Sequence, residues 1–250
     1  MQKVNLLVVA VTCLAVYAIA SVSMRLSETP RRFWPLDTLP QLRMFDAGSI
    51  AGMRQELGDV MQREALWLGW PEYNVEETGN SNIIPMYAFD TWLETAHLFP
   101  QTSALLKTLP GLRTALFSRL GPETRLAPHT GYAFLANYVL RCHIVLQCAG
   151  ECYVEVQGMR QHVERNDIVI FDNSLEHSAG NESSDVEYIV LILDIKRPGD
   201  VPVGTASTDE TVELGLDLMS HHHPGTKLRA HEPRTHKSSL YSDAPPRHRR

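Results

Sequence analysis

Four positions in the middle of the chain carry side chains that can do chemistry: His129, Arg141, His143 and His177. Arg141 and His143 lie in the run Asn137 to Leu146. A strand there puts Val139, Arg141, His143 and Val145 on one face and Tyr138, Leu140, Cys142, Ile144 and Leu146 on the other. The second face is apolar and suited to packing beneath helices, which sends the guanidinium and the imidazole into the space on the first. A buried guanidinium needs an anion. No acidic residue shares the strand, so the partner is either an anionic ligand or a carboxylate from another strand. His129 ends an extended run just before Thr130-Gly131, and His177 follows the run 167–172 after the turn Asn173-Ser174-Leu175-Glu176. Histidines at strand ends that face one cavity suit a first-row metal, because neutral imidazole binds iron, zinc and copper alike. Hydrogen-bonded structural histidines are the competing reading.

The elements that must hold these residues begin at Ala115, where short runs rich in Val, Ile, Leu and Tyr alternate with turns such as Leu120-Gly121-Pro122 and Gly158. Strands are expected at 115–119, 124–129, 137–147, 152–157, 159–164, 167–172 and 186–195. Ahead of them, Asp46 or Ser49 caps a helix that presents Ile50, Met53, Leu57, Val60, Met61 and Leu66 on one face as far as Trp70-Pro71. A second helical stretch, 91–109, stops at Pro110-Gly111. Helices followed by closely spaced strands predict a mainly β domain over 46–198, a sandwich or small barrel backed by N-terminal helices.

The ends of the chain differ in character. No charged residue occurs from Val4 to Met24, and the run is apolar and long enough to span a bilayer as a helix. Residues 1–24 are therefore a signal anchor or, with Ala18-Ile19-Ala20 as a cleavage site, a signal peptide. Either sends the rest to the secretory pathway. The chain is then single-pass and anchored in the endoplasmic reticulum or Golgi, or lumenal or secreted after cleavage. Residues 25–45, with three prolines and several arginines, read as a linker. Residues 199–250 hold six of the eleven histidines and little apolar periodicity and read as a disordered tail, with His221-His222-His223 solvated rather than catalytic. A net charge of -6 argues against a nucleic-acid partner, since a phosphate groove needs a basic surface. The cysteines at 13, 142, 148 and 152 lack paired zinc spacing and are too few for a disulfide framework. Cys148 and Cys152 flank a turn and can bridge in an oxidising lumen. Asn181-Glu182-Ser183 is a glycosylation sequon.

Between residues 83 and 198 the order of motifs resembles the aspartyl/asparaginyl β-hydroxylase family. Ile84-Pro85-Met86-Tyr87-Ala88-Phe89, Leu98-Phe99-Pro100-Gln101-Thr102 and Leu106 to Leu112 look like its lead-in. Ser118, Pro122 and Thr124 follow, then Pro128-His129-Thr130-Gly131 and Leu140-Arg141-Cys142-His143. Phe171-Asp172-Asn173-Ser174-Leu175-Glu176-His177 and the closing Asp194-Ile195-Lys196-Arg197-Pro198 complete the set.

The resemblance implies a double-stranded β-helix, a cupin-like jelly roll. In it His129 and His177 hold Fe(II), 2-oxoglutarate is the co-substrate, and Gly131 stands where many related oxygenases place a third, carboxylate ligand. It puts Arg141 and His143 near the co-substrate carboxylate at the metal and Ser118 near the distal one. The sequence departs from the family at Tyr188, where an arginine is expected, and at Val163 and Asn166, where Trp and Gly are expected. A tyrosine supplies neither the charge nor the bidentate geometry of arginine, a difference of about 2 kcal/mol for one charge-assisted contact. The implied reaction is hydroxylation of carbon, on Asp or Asn side chains of lumenal protein domains such as epidermal-growth-factor-like modules. Two alternatives stand beside it. One is a lipid hydroxylase, since bacterial lipid A hydroxylases share this domain. The other is an inactive metal- or ligand-binding homologue, which Tyr188 favours. Neither a cupin-like metal isomerase nor a purely structural sandwich explains both the His129 and the His177 motifs.

Overall fold

Asp46 caps the first helix, accepting a hydrogen bond from the backbone N–H of Ser49 at 2.8 Å. From there α1 (Ala47–Val60) buries Ile50, Met53, Leu57 and Val60, but it stops at Val60 short of the expected Trp70-Pro71: Leu66 lies in a separate 3-10 turn, Glu64–Leu66, and Leu68–Gly69 is a strand. The computed structural model describes residues 30–69, 79–88 and 90–207. The apolar run 4–24 and the histidines of the tail lie outside them. Among the described residues no helix is long and apolar enough to cross a membrane.

In chain order the strands are β1 (Phe33–Trp34), β2 (Leu68–Gly69), β3 (Ser81–Ala88), β4 (Thr91–Trp92), β5 (Leu112–Leu120) and β6 (Thr124–Arg125). They continue with β7 (Val139–Gln147), β8 (Cys152–Val156), β9 (Met159–Val163), β10 (Ile168–Phe171), β11 (His177–Asn181) and β12 (Tyr188–Lys196). Two further helices are α2 (Pro100–Lys107) and α3 (Ala133–Ala136). One antiparallel sheet runs β1-β10-β7-β12-β5-β3-β2, with β4 on β3, and a second runs β6-β11-β8-β9. This is the mainly β jelly roll. Its two cores lie on opposite faces of the larger sheet. Leu140, Cys142, Ile144 and Leu146 of β7 pack with α1, while Val145 joins Val154, Val156, Phe171, Val190 and Ile192 between the sheets. The alternation read from β7 therefore separates a helix-covered face from a face toward the cavity.

Several boundaries differ from the expectation. Residues 33–45, read as linker, belong to the domain: β1 pairs with β10, and Leu39, Leu42 and Phe45 are buried in the helix-side core. Their prolines space short 3-10 turns instead of marking loose chain. Residues 91–109 are not one helix, because Pro100 has no N–H to continue an earlier helix and instead starts α2. Glu56 of α1 ties that start down, accepting from the N–H groups of Gln101 at 2.6 Å and Thr102 at 3.0 Å. β3 was missed because Pro85 interrupts it, and a register shift between Pro85 and Tyr87 accommodates the missing donor. β11 was missed because Ser178, Ala179, Gly180 and Asn181 have little strand propensity. Gly180 is required there, since a Cβ would stand 2.3 Å from the Tyr153 ring. Residues 199–207, read as tail, lie against the domain, with Val201 and Ala206 buried.

Cys148 and Cys152 are bridged across the β7–β8 turn. Asn181 is 1% exposed and donates its side-chain N–H groups to the carbonyls of Leu120, Gly121 and Val186 at 3.2, 2.9 and 2.8 Å. The folded sequon therefore cannot accept a glycan.

Candidate metal centre

His129 and His177 are brought together by backbone pairing. The N–H of His129 donates to the carbonyl of His177 at 2.9 Å, and the N–H of His177 returns a bond to the carbonyl of His129 at 2.8 Å. The two rings meet edge to face with centroids 4.3 Å apart. Each imidazole is oriented by its own backbone: Nδ1 lies 2.8 Å from the carbonyl of Ala127 in His129 and 2.8 Å from that of Leu175 in His177. A carbonyl only accepts, so both Nδ1 atoms carry the proton and both Nε2 atoms carry the lone pair. The Nε2 of His177 is buried with no hydrogen-bond partner. That pattern is what a metal ligand requires.

Burial is also the main force on the protonation of these rings. It pushes His129 down to about 4 and His143 down to about 3, with the nearby Arg141 charge adding to both, and it holds His177 well below the ordinary histidine value. Neutral imidazoles at neutral pH are the form that binds metal.

The histidines open onto a cavity between the sheets. Ser118 from β5, Arg141 and His143 from β7, Phe171 from β10 and Tyr188 from β12 line it with them, so all six residues singled out from the sequence share one space. Arg141 answers the question of its anion. Its Nε and Nη2 donate to the two carboxylate oxygens of Asp194 on β12 at 2.8 and 2.9 Å, and Asp194 is fully buried. The partner is a carboxylate from a neighbouring strand, directly opposite in register. The sequence carries one signal for it: Asp194 is the one acidic residue in the otherwise apolar run Tyr188–Ile195. His143 packs edge to face on Phe171, and its Nδ1 is buried without a partner. At the far end of β12, the Tyr188 hydroxyl is buried and also without a partner, and burial raises the phenol above its ordinary value.

The donor set fits a metal held by two protein ligands. Among the described residues no group of three or more His, Cys, Asp or Glu is arranged to hold an ion. Gly131 has no side chain to supply a third ligand, and the position is tight, since a Cβ there would stand 2.9 Å from the Ala136 Cβ and 3.1 Å from the carbonyl oxygen of Asn173. A site with two imidazoles leaves the remaining coordination positions for co-substrate, oxygen and water.

Solved structures similar in fold include a prolyl hydroxylase from Trichoplax adhaerens in complex with a hypoxia inducible factor oxygen degradation domain peptide. It is 8% identical over 64% of this chain and 87% of that one, with a TM-score of 0.45. An oxidoreductase of the 2OG-Fe(II) oxygenase family from Burkholderia pseudomallei is 14% identical over 64% and 95%, with a TM-score of 0.36. A predicted oxalate decarboxylase from Thermotoga maritima is 13% identical over 52% and 98%, with a TM-score of 0.31. No curated protein matches the chain. The family model of the aspartyl/asparaginyl β-hydroxylases matches residues 49–198, and the chain accordingly belongs to that family and is an Fe(II)- and 2-oxoglutarate-dependent dioxygenase.

Proposed function

We propose that this dioxygenase hydroxylates Asp or Asn side chains of protein domains in the secretory lumen, epidermal-growth-factor-like modules among them, with Fe(II) held by the Nε2 atoms of His129 and His177. The observation that carries the metal assignment is the pair of Nδ1–carbonyl bonds together with the orphaned Nε2 of His177. Fe(II) and 2-oxoglutarate supply the oxidising chemistry: one atom of O2 enters a C–H bond, the other ends in succinate, and CO2 leaves. The chain's own residues bind, orient and exclude water. Arg141, fixed by Asp194, and His143 face the co-substrate carboxylate nearest the metal, while Ser118 and Tyr188 offer hydroxyls to the distal one. Leu126, Phe171 and Ile192 form apolar walls around the reacting groups. The lumenal location is supported by the Cys148–Cys152 disulfide, a bond that persists in oxidising compartments, and by the apolar run 4–24. In this reading the N-terminal segment links the domain to the membrane.

The test is to incubate the protein anaerobically with Fe(II), add 2-oxoglutarate, oxygen and an epidermal-growth-factor-like domain, and measure succinate and substrate mass together. The expected result is equimolar succinate and a gain of one oxygen on an Asp or Asn. Succinate without a mass gain would reject this substrate class. Intact vesicles in which protease digests the domain would reject the lumenal location.

A second reading, an inactive homologue that binds metal without turnover, is favoured by two features: Arg141 is already neutralised by Asp194, and Tyr188 adds no charge at the other end. Fe(II) binding with no succinate under any substrate would support it.

A further inference from the structure

Arg197, just beyond β12, is 9% exposed and lies outside the cavity lining. A guanidinium withdrawn from water needs acceptors for its N–H groups and an anion. Its Nη1 donates to Asp172 Oδ2 and to the Pro202 carbonyl, both at 2.9 Å. Its Nη2 donates to Asp172 Oδ1 and, at 3.0 Å, to the Ala136 carbonyl. These acceptors come from separate segments. Asp172 opens the turn into His177, Ala136 ends the helix that follows His129, and Pro202 lies beyond the last strand. One planar fork thus cross-links the segments that carry both histidines.

From Asp172 the constraint reaches the His177 imidazole in two bonds. The Asp172 carbonyl accepts from the Leu175 N–H at 3.2 Å, and the Leu175 carbonyl accepts from His177 Nδ1 at 2.8 Å. The Asp172 carboxylate also accepts from the Ser174 N–H at 3.0 Å and the Ser174 hydroxyl at 2.6 Å, which closes the turn. On the other side, the Gly131 N–H donates to the Asn173 carbonyl at 2.8 Å, joining the segment after His129 to the same turn.

Residues 201–206 close over this network. Ser174 Oγ accepts from the Thr205 N–H at 3.0 Å, and the Asn137 carbonyl accepts from the Gly204 N–H at 2.9 Å. The Asn137 side chain exchanges two bonds with Ala206, at 2.8 and 3.0 Å. Gly204 is pressed so close that a Cβ would stand 2.5 Å from the Ser174 Cβ and 2.7 Å from Arg197 Nη2. Only glycine fits.

We propose that Arg197 is a positioning residue for the metal centre and that residues 201–206 are the strap that keeps its guanidinium in place. The proposal rests on the reading of His129 and His177 as iron ligands. Groups that orient metal ligands from behind change metal affinity about ten- to hundredfold when lost.

The experiment is an anaerobic Fe(II) titration of the full chain, with near-ultraviolet circular dichroism to count folded protein. His129→Ala and His177→Ala are expected to abolish binding. Retained wild-type binding in both would overturn the ligand reading itself, and this proposal with it. With the ligands established, Arg197→Lys is expected to weaken Fe(II) binding about tenfold, and Arg197→Met up to about a hundredfold, because lysine keeps the charge on Asp172 but loses the fork. Gly204→Ala removes no charged group and displaces only the strap, so it serves if Arg197→Met does not fold. It is expected to weaken Fe(II) binding about tenfold in a protein that remains folded. Wild-type Fe(II) affinity in folded Gly204→Ala and Arg197→Lys would show that the network supports the fold alone, and would overturn the proposal.

Discussion

At the histidine end of the cavity three groups are held from behind, His129 and His177 by backbone carbonyls and Arg141 by the buried carboxylate of Asp194, while His143 rests edge to face on Phe171. At the Tyr188 end a buried hydroxyl has no hydrogen-bond partner, and Leu120 stands opposite Tyr188 in register. The first end is over-determined, so a change there disturbs several bonds at once. The second depends on packing alone, and its polar group can change without unravelling a network. That contrast gives a physical reason why a tyrosine can stand where the family resemblance leads one to expect arginine.

Acid should expose the difference most strongly. His129 and His143 are pushed down to about 4 and about 3, and His177 is also held low, all by burial first. Because the unfolded histidine titrates near 6.5, the unfolded chain binds protons first as pH falls. The stability that these neutral rings contribute to the metal-free protein is therefore complete above about pH 6.5 and is lost as pH falls toward 4 and then 3. Tyr188, whose phenol is raised, stays neutral throughout this window and contributes nothing to it. Urea unfolding at pH 7.5, 5.5 and 4.5 checks this, with His143→Gln expected to flatten the profile. An unchanged unfolding midpoint from pH 7.5 to 4.5 would mean that the rings are not buried as neutral species.

Breaking the ion pair comes next. Asp194→Ala leaves the Arg141 guanidinium in the cavity wall without its carboxylate and is expected to destabilise the fold by about 3–5 kcal/mol. Asp194→Asn keeps the shape and two polar atoms and should cost less. A loss below about 1 kcal/mol for Asp194→Ala, measured by urea unfolding, would show that this end is not held as tightly as the contrast requires.

How much of this was legible in the residues depends on how local the cause is. The two faces of β7 follow from alternation, and the start of α1 from its two capping candidates, Asp46 and Ser49, of which Asp46 is the cap. The convergence of His129, Arg141, His143, His177, Ser118 and Tyr188 on one cavity was anticipated from ordered motifs. What was missed is non-local. Arg141 and Asp194 are 53 positions apart, and only sheet register makes them partners. The Arg197–Asp172 pair spans 25 positions, and Gly204 matters only because Ser174 and Arg197 lie against it. Residues 33–45 look like linker because proline and arginine interrupt the apolar residues, yet Leu39, Leu42 and Phe45 reach the core from short 3-10 turns that have no long periodicity.

At the other end of the cavity, Tyr188→Arg tests whether the missing charge limits the co-substrate. If the side chain is accommodated, one new charge-assisted contact to the distal carboxylate should tighten 2-oxoglutarate binding about tenfold. The measurement is titration of the anaerobic Fe(II) protein with 2-oxoglutarate, followed by the metal-to-ligand absorption band. An affinity that does not change in a folded Tyr188→Arg protein would place the distal carboxylate elsewhere.

The smallest effect, and the one with the most specific sign, is expected from Tyr188→Phe. A buried hydroxyl with no partner carries a desolvation cost that the phenylalanine ring does not, so the metal-free protein should be unchanged or more stable by up to about 1 kcal/mol. Binding of 2-oxoglutarate should move the other way. If the hydroxyl donates to the distal carboxylate, its loss removes a hydrogen bond to a charged group and should weaken binding about tenfold. Opposite signs in unfolding and in titration are the signature of a group held ready for a ligand. Loss of stability with unchanged 2-oxoglutarate affinity would instead make Tyr188 an ordinary core residue. The difference between the two ends of the cavity would then be one of packing, with no bearing on the co-substrate.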